Sequence, residues 1–150
     1  MKTIPATLAA AILLLTASAA DAAKFQGRAD DGTKVALKTN GKCRPTLVKF
    51  GHYKADCDSG YTAVSDPISG FEPPFTEASR THVLDQGRQE AMVELDDVSG
   101  QVHVVATYKF EAHFTDGQWV GDYRSRGNYE QNSERITRCA ARFSFALSPK

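Results

Sequence analysis

The sequence contains no catalytic or metal-binding motif of fixed spacing. It has no CxxC and no HxxxH pair, which removes the common zinc patterns. No G-x-S-x-G is present, and the serines sit in loops without a marked base, which argues against a Ser-His-Asp hydrolase. Glu94-Leu95-Asp96-Asp97-Val98-Ser99-Gly100 is acidic and ends in glycine, yet it lacks the spaced ligands and terminal Glu of an EF-hand loop. It reads as a solvated turn. Also missing, after residue 22, is any long stretch with apolar residues at i, i+3, i+4 and i+7, so a helical bundle is not expected. Nor is there a basic excess: 18 Lys and Arg balance 18 Asp and Glu. A nucleic-acid-binding domain would carry such an excess throughout. No catalytic residues and no cofactor are nominated on these grounds.

What is present begins with MKTIPATLAAAILLLTASAADAAKF, where Lys2 is the only charge before an apolar run that ends in small residues. This pattern predicts a secretory signal peptide over residues 1–22. Ala20-Asp21-Ala22 meets the small-x-small rule best and leaves Ala23 as the first mature residue, although cleavage after Ala19 also satisfies it. The apolar run is short for an anchor, and no later segment resembles a membrane span. The expectation is a periplasmic or extracellular protein of one domain, residues 23–150. Its charges are unevenly placed. Residues 23–58 hold eight Lys/Arg against four Asp/Glu, residues 59–116 three against ten, and residues 117–150 six against three. Local attraction to a charged partner is compatible with that mosaic.

Three cysteines in an exported chain leave one unpaired after oxidation. Cys57 and Cys139 both occupy strand-like positions, and Cys139 shares a face with Ala141, Phe143, Phe145 and Leu147. Cys57 with Cys139 is therefore the favoured bridge, and Cys43 with Cys57 the main alternative. In the first case Cys43, in the polar turn Asn40-Gly41-Lys42-Cys43-Arg44-Pro45, is a free thiol that can join two copies into a dimer.

Alternation of period two recurs along the mature chain, which predicts an all-β domain of seven to nine strands: an antiparallel β-sandwich, or alternatively a small barrel. Around Asp30-Asp31-Gly32, a three-residue loop with Gly32 left-handed sets Phe25 against Leu37 and Gly27 against Val35, pairing apolar with apolar. In Thr46 to Cys57 the inward parity changes near Gly51, which suggests a bulge. Residues 58–79, with Gly60, Pro67, Gly70, Pro73 and Pro74, read as a long loop pinned by Phe71 and Phe75. From Val102 to Phe114 the even positions are apolar and the odd ones largely polar. Asp116-Gly117 is a two-residue hairpin signal that sets Phe114 opposite Trp119, Ala112 opposite Gly121, Phe110 opposite Tyr123 and Glu111 opposite Asp122.

Phe25-x-Gly27 with Asp31-Gly32, a strand ending at Cys57-Asp58-Ser59-Gly60, Phe114 with Asp116-Gly117, Gly121-x-Tyr123, and Cys139 before Phe143-x-Phe145 together resemble a loose family of small exported bacterial β-sandwich domains of uncharacterised function. The resemblance spans most of the mature chain. It implies the fold and the 57–139 bridge, and no activity. Cys43 and the length of the 58–79 segment depart from its pattern.

Glu111 and Asp122, opposed on the outer face with His113 beside them, are a candidate cation site for Ca²⁺, or for Zn²⁺ if the histidine joins. Diagonal pairing with Arg124 and Lys109 is the favoured reading of the same face. A glycosidase pair would need a cleft and one buried carboxyl, which an exposed sheet face does not supply. His52 and His82 have no motif around them, and His103 and His113 lie too far apart along one strand to share a ligand. Phe71, Pro73, Pro74 and Phe75 form a candidate binding loop. Arg124, Arg126, Arg135, Arg138 and Arg142 give the last strands a basic tendency. The expected function is binding without catalysis, of a protein, an envelope component or a small ligand, with a pocket lined by aromatics such as Phe110, Trp119 and Tyr123. The alternative is an exported hydrolase inhibitor that uses the long loop.

Overall fold

The computed structural model describes residues 22–65 and 68–150. The expected signal peptide lies outside the described residues apart from Ala22. Among the described residues eleven strands form: β1 (Lys24–Arg28), β2 (Lys34–Thr39), β3 (Pro45–Phe50), β4 (Lys54–Cys57), β5 (Thr62–Val64), β6 (Ile68–Phe71), β7 (Glu77–Ala78), β8 (His82–Leu95), β9 (Val98–Thr115), β10 (Gln118–Gln131) and β11 (Glu134–Pro149). There is no helix among the described residues, so none is long and apolar enough to cross a membrane.

Nine strands pair in the order β6-β3-β2-β1-β11-β10-β9-β8-β7, and the β4–β5 hairpin joins β11. Every pairing is antiparallel. The protein is all-β, a sheet curled into a half-barrel. The two facing layers belong to one sheet because β1 pairs with β2 on one side and β11 on the other.

Local chemistry sets these registers. At the β1–β2 turn Gly32 has φ 88°, and Phe25 faces Leu37 as the three-residue loop requires. Asp116 and Gly117 both have positive φ, 50° and 78°, the backbone of a type I′ hairpin, and β9 and β10 pair in the register that turn dictates. Gly121 is required opposite Ala112, since a Cβ there would run into the Glu111 carbonyl oxygen and the Ala112 side chain.

Three local expectations are corrected. The parity change at Gly51 is no bulge: β3 ends at Phe50 beside β2, and the chain crosses to pair β4 with β11. Each segment turns its apolar side toward the same interior from a different layer, so the parity has to change between them. Residues 58–79 are not one loop, because they contain β5, β6 and β7. Phe114 is 36% exposed although it has core parity, because it lies where the sheet runs out at the hairpin end; its ring packs on Phe25 and Trp119.

The core sits between the layers. Phe50 is its hub, with ring centroids 4.8 Å from Tyr123, 5.3 Å from Phe143, 5.6 Å from Phe71 and 5.7 Å from Phe110. Trp119, Phe110, Leu37 and Leu147 are also fully buried. Each such side chain stabilises the fold by about 1.5–3 kcal/mol relative to exposure.

Candidate functional site

Away from the β9–β10 turn, the inner face of the half-barrel changes composition. Ala106 faces Gly127, which faces Cys139, which faces Cys57, so small residues and a disulfide form one row across four strands. Tyrosines flank the row. The result is a cavity of about 250 Å³, roofed by Tyr53, Ala55, Ala63, Val64 and Ser65 and walled by Phe71, Tyr108, Tyr123 and Tyr129. A Cβ on Gly127 would meet Tyr129, Ala106 and Val104 only at ordinary contact distances of 3.5–3.6 Å.

Three of the tyrosine hydroxyls here have partners. Tyr53 and Tyr123 place their oxygens 3.3 Å apart, and Tyr108 donates to Asp85 Oδ2 at 3.2 Å. Burial, and then the neighbouring Tyr53 oxygen, pushes the Tyr123 and Tyr129 phenols above their usual range; burial and Asp85 do the same to Tyr108. All three therefore stay protonated near neutrality. Gly87 leaves room for the Tyr108 ring, whose nearest atoms would stand 3.1–3.3 Å from an added Cβ.

No protein-family model, curated protein or solved structure matches the chain.

On the outer face, near the hairpin end, β8 brings in a residue that the sequence reading passed over. His82 pairs with His113, their rings stack at 4.5 Å, and both approach Glu111. His82 Nε2 lies 3.1 Å and His113 Nε2 3.8 Å from Glu111 Oε1, while Lys109 Nζ holds Oε2 at 2.6 Å. The Lys109 ammonium first, then His82, keeps the Glu111 carboxyl below its usual range. Asp122 stands opposite Glu111 in the register but does not join the group. The diagonal pairing expected of Glu111 with Arg124 gives way to Lys109, two residues away on the same strand.

Of the other candidates, Cys57 and Cys139 form the bridge, at directly paired positions, and Cys43 is an exposed free thiol. In the candidate loop, Phe71 is buried in the core and Phe75 packs against it, leaving Pro73 and Pro74 exposed. Of the aromatics expected in a pocket only Tyr123 lines the cavity; Phe110 and Trp119 are consumed by the core. Lys109, Arg124 and Arg142 line up directly across three strands. Arg135 approaches Asp58 at 3.9 Å, and Arg138 Nε donates to Asn128 Oδ1 at 2.9 Å.

Proposed function

We propose that the protein is an exported, non-enzymatic binding protein that holds a small, uncharged, hydroxyl-bearing ring in the tyrosine cavity. The lining carries this reading. Its described residues include no carboxylate, imidazole, ammonium or guanidinium, so it offers neither a charge partner nor an acid–base pair near neutrality. Aromatic walls with a few fixed hydroxyls suit a flat polar ring. At about 250 Å³ the space falls below the ~300–1,000 Å³ typical of drug-sized ligands, which favours a single ring. The Cys57–Cys139 bridge supports an oxidising compartment, in keeping with the expected signal peptide. The resemblance to small exported β-sandwich domains adds no activity to this reading. The inhibitor alternative needs a free protruding loop, and Phe71 and Phe75 are engaged by the core instead.

A panel of monosaccharides and simple phenols, titrated against the protein and followed by NMR, tests the proposal. Tyr53, Tyr123 and Tyr129 resonances are expected to shift with at least one compound, and Ala106→Leu, which fills the cavity, is expected to weaken that binding at least tenfold. Silence across the panel, or equal binding by Ala106→Leu, overturns it.

A further inference from the structure

We propose a first-row divalent metal site at His82, Glu111 and His113, taking Zn²⁺ or Cu²⁺ and not Ca²⁺. It is separate from the tyrosine cavity, being on the opposite face of the sheet. Two imidazoles and one carboxylate are the donor set of borderline ions, whereas Ca²⁺ takes six to eight oxygens.

The donor separations are near what such an ion requires. With Zn–N and Zn–O bonds of about 2.0–2.2 Å, donors around a tetrahedral ion stand roughly 3.3–3.5 Å apart. The two nitrogen-to-Oε1 distances, 3.1 and 3.8 Å, bracket that figure. All three donor atoms lie within 4.8 Å of one another. The two rings stack 16° from parallel, so sharing an ion requires His113 to turn out of that stack, and with 61% of its side chain exposed it can do so without disturbing the core.

The surroundings are arranged as in metal centres. A metal-bound histidine commonly turns its other ring nitrogen toward a carboxylate, and His82 Nδ1 has Glu77 Oε2 at 3.8 Å, within reach of such a contact. Lys109 occupies Oε2 of Glu111, which fixes the carboxylate and leaves Oε1 toward the imidazoles. The three positions are set by register: His82 pairs with His113, and Glu111 lies two residues before His113 on the same outer face. Beyond them a shallow groove lined by Arg28, Asp122 and Phe145 also reaches Glu111 and His113, leaving the fourth coordination position open to water or to a donor from a partner.

The test is Zn²⁺ titrated into metal-stripped protein carrying Cys43→Ser, which removes the exposed thiol as a competing ligand. Calorimetry reads stoichiometry and affinity, and imidazole ¹⁵N NMR reads which rings respond. One equivalent is expected to bind, shifting His82 and His113 while His52 and His103 stay in place, with His82→Gln and His113→Gln each weakening affinity at least tenfold. Thermal melts of both variants without metal check that they fold. Absence of binding, shifts at His52 or His103 instead, unaltered affinity in the folded variants, or equal binding of Ca²⁺ would overturn the proposal. A merely structural His82–Glu111 hydrogen bond would change the metal-free melt and leave no Zn²⁺-dependent signal.

Discussion

Replacing Phe50 by alanine removes the ring that four other aromatics share. Phe50 is 2% exposed and comes from β3, whereas Phe110, Tyr123 and Phe143 come from the opposite layer, so the deletion opens a cavity that neither layer can fill by a local shift. Buried Phe→Ala changes cost about 3–5 kcal/mol. Aromatic pairs contribute about 0.5–1.5 kcal/mol beyond their area, which places this site toward the upper end of that range. The assay is urea unfolding with the disulfide intact. With a slope of ~2 kcal/mol/M, a loss of ~4 kcal/mol lowers the midpoint by roughly 2 M. Phe114→Ala is the matched control: the ring is the same, but it is 36% exposed and touches two others, so its cost should stay below about 1.5 kcal/mol. A Phe50→Ala midpoint drop under about 0.5 M, or equal drops in both variants, would refute the assignment of Phe50 as the hub.

Three other outcomes are expected. Cys57→Ser with Cys139→Ser opens a bridge spanning 82 positions and should cost about 4.5 kcal/mol in the chain-entropy account, read as a lower thermal midpoint; a loss under about 1 kcal/mol contradicts it. Arg124→Thr relieves like charges lined up with Lys109 and Arg142 and should raise stability by a few tenths to about 1 kcal/mol in low salt, less at 1 M salt; a loss of stability at low salt counts against the repulsion. Asp58 is held below the usual carboxylate range by the Arg138 backbone N–H and then the Thr137 hydroxyl. Because its folded value is depressed, its contribution is complete above the unfolded value of ~3.9 and disappears as pH falls through the folded one. Asp58→Asn should therefore be less stable at pH 7 and converge with the parent in acid; a stability gap independent of pH defeats the argument.

The legible parts of the chain were those where a turn and a face pattern could be read separately and made to agree. Asp116-Gly117 and the parity of Val102 to Phe114 gave the β9–β10 pairing residue for residue, and Gly32 did the same for β1 and β2. What stayed hidden depended on partners distant in the chain. β5 and β6 have three and four residues, too few to show a period, and β6 finds its partner in β3 across the β4–β5 hairpin. The site residue His82 was hidden for a related reason. The turn after β8 is Asp96-Asp97, and the register shifts between Glu94 and Leu95 close to Gly100, whose φ is 87°. A register counted back from that turn without the shift would have set His82 opposite Glu111 instead of His113. The cavity had a quieter signal: alanine, glycine and cysteine at the paired inward positions 106, 127 and 139 of three neighbouring strands, residues too small to fill a core.

The placement of β11 also bears on the order of events. Among the described strands it is the latest in sequence, yet it alone pairs with β1, β10 and β4, and it carries the second cysteine of the bridge. Until residues 134–149 are available, β1 to β3 and β8 to β10 have no ladder in common and Cys57 has no counterpart across the sheet. The two halves thus stay unjoined until β11 is formed, and that strand fastens both at once.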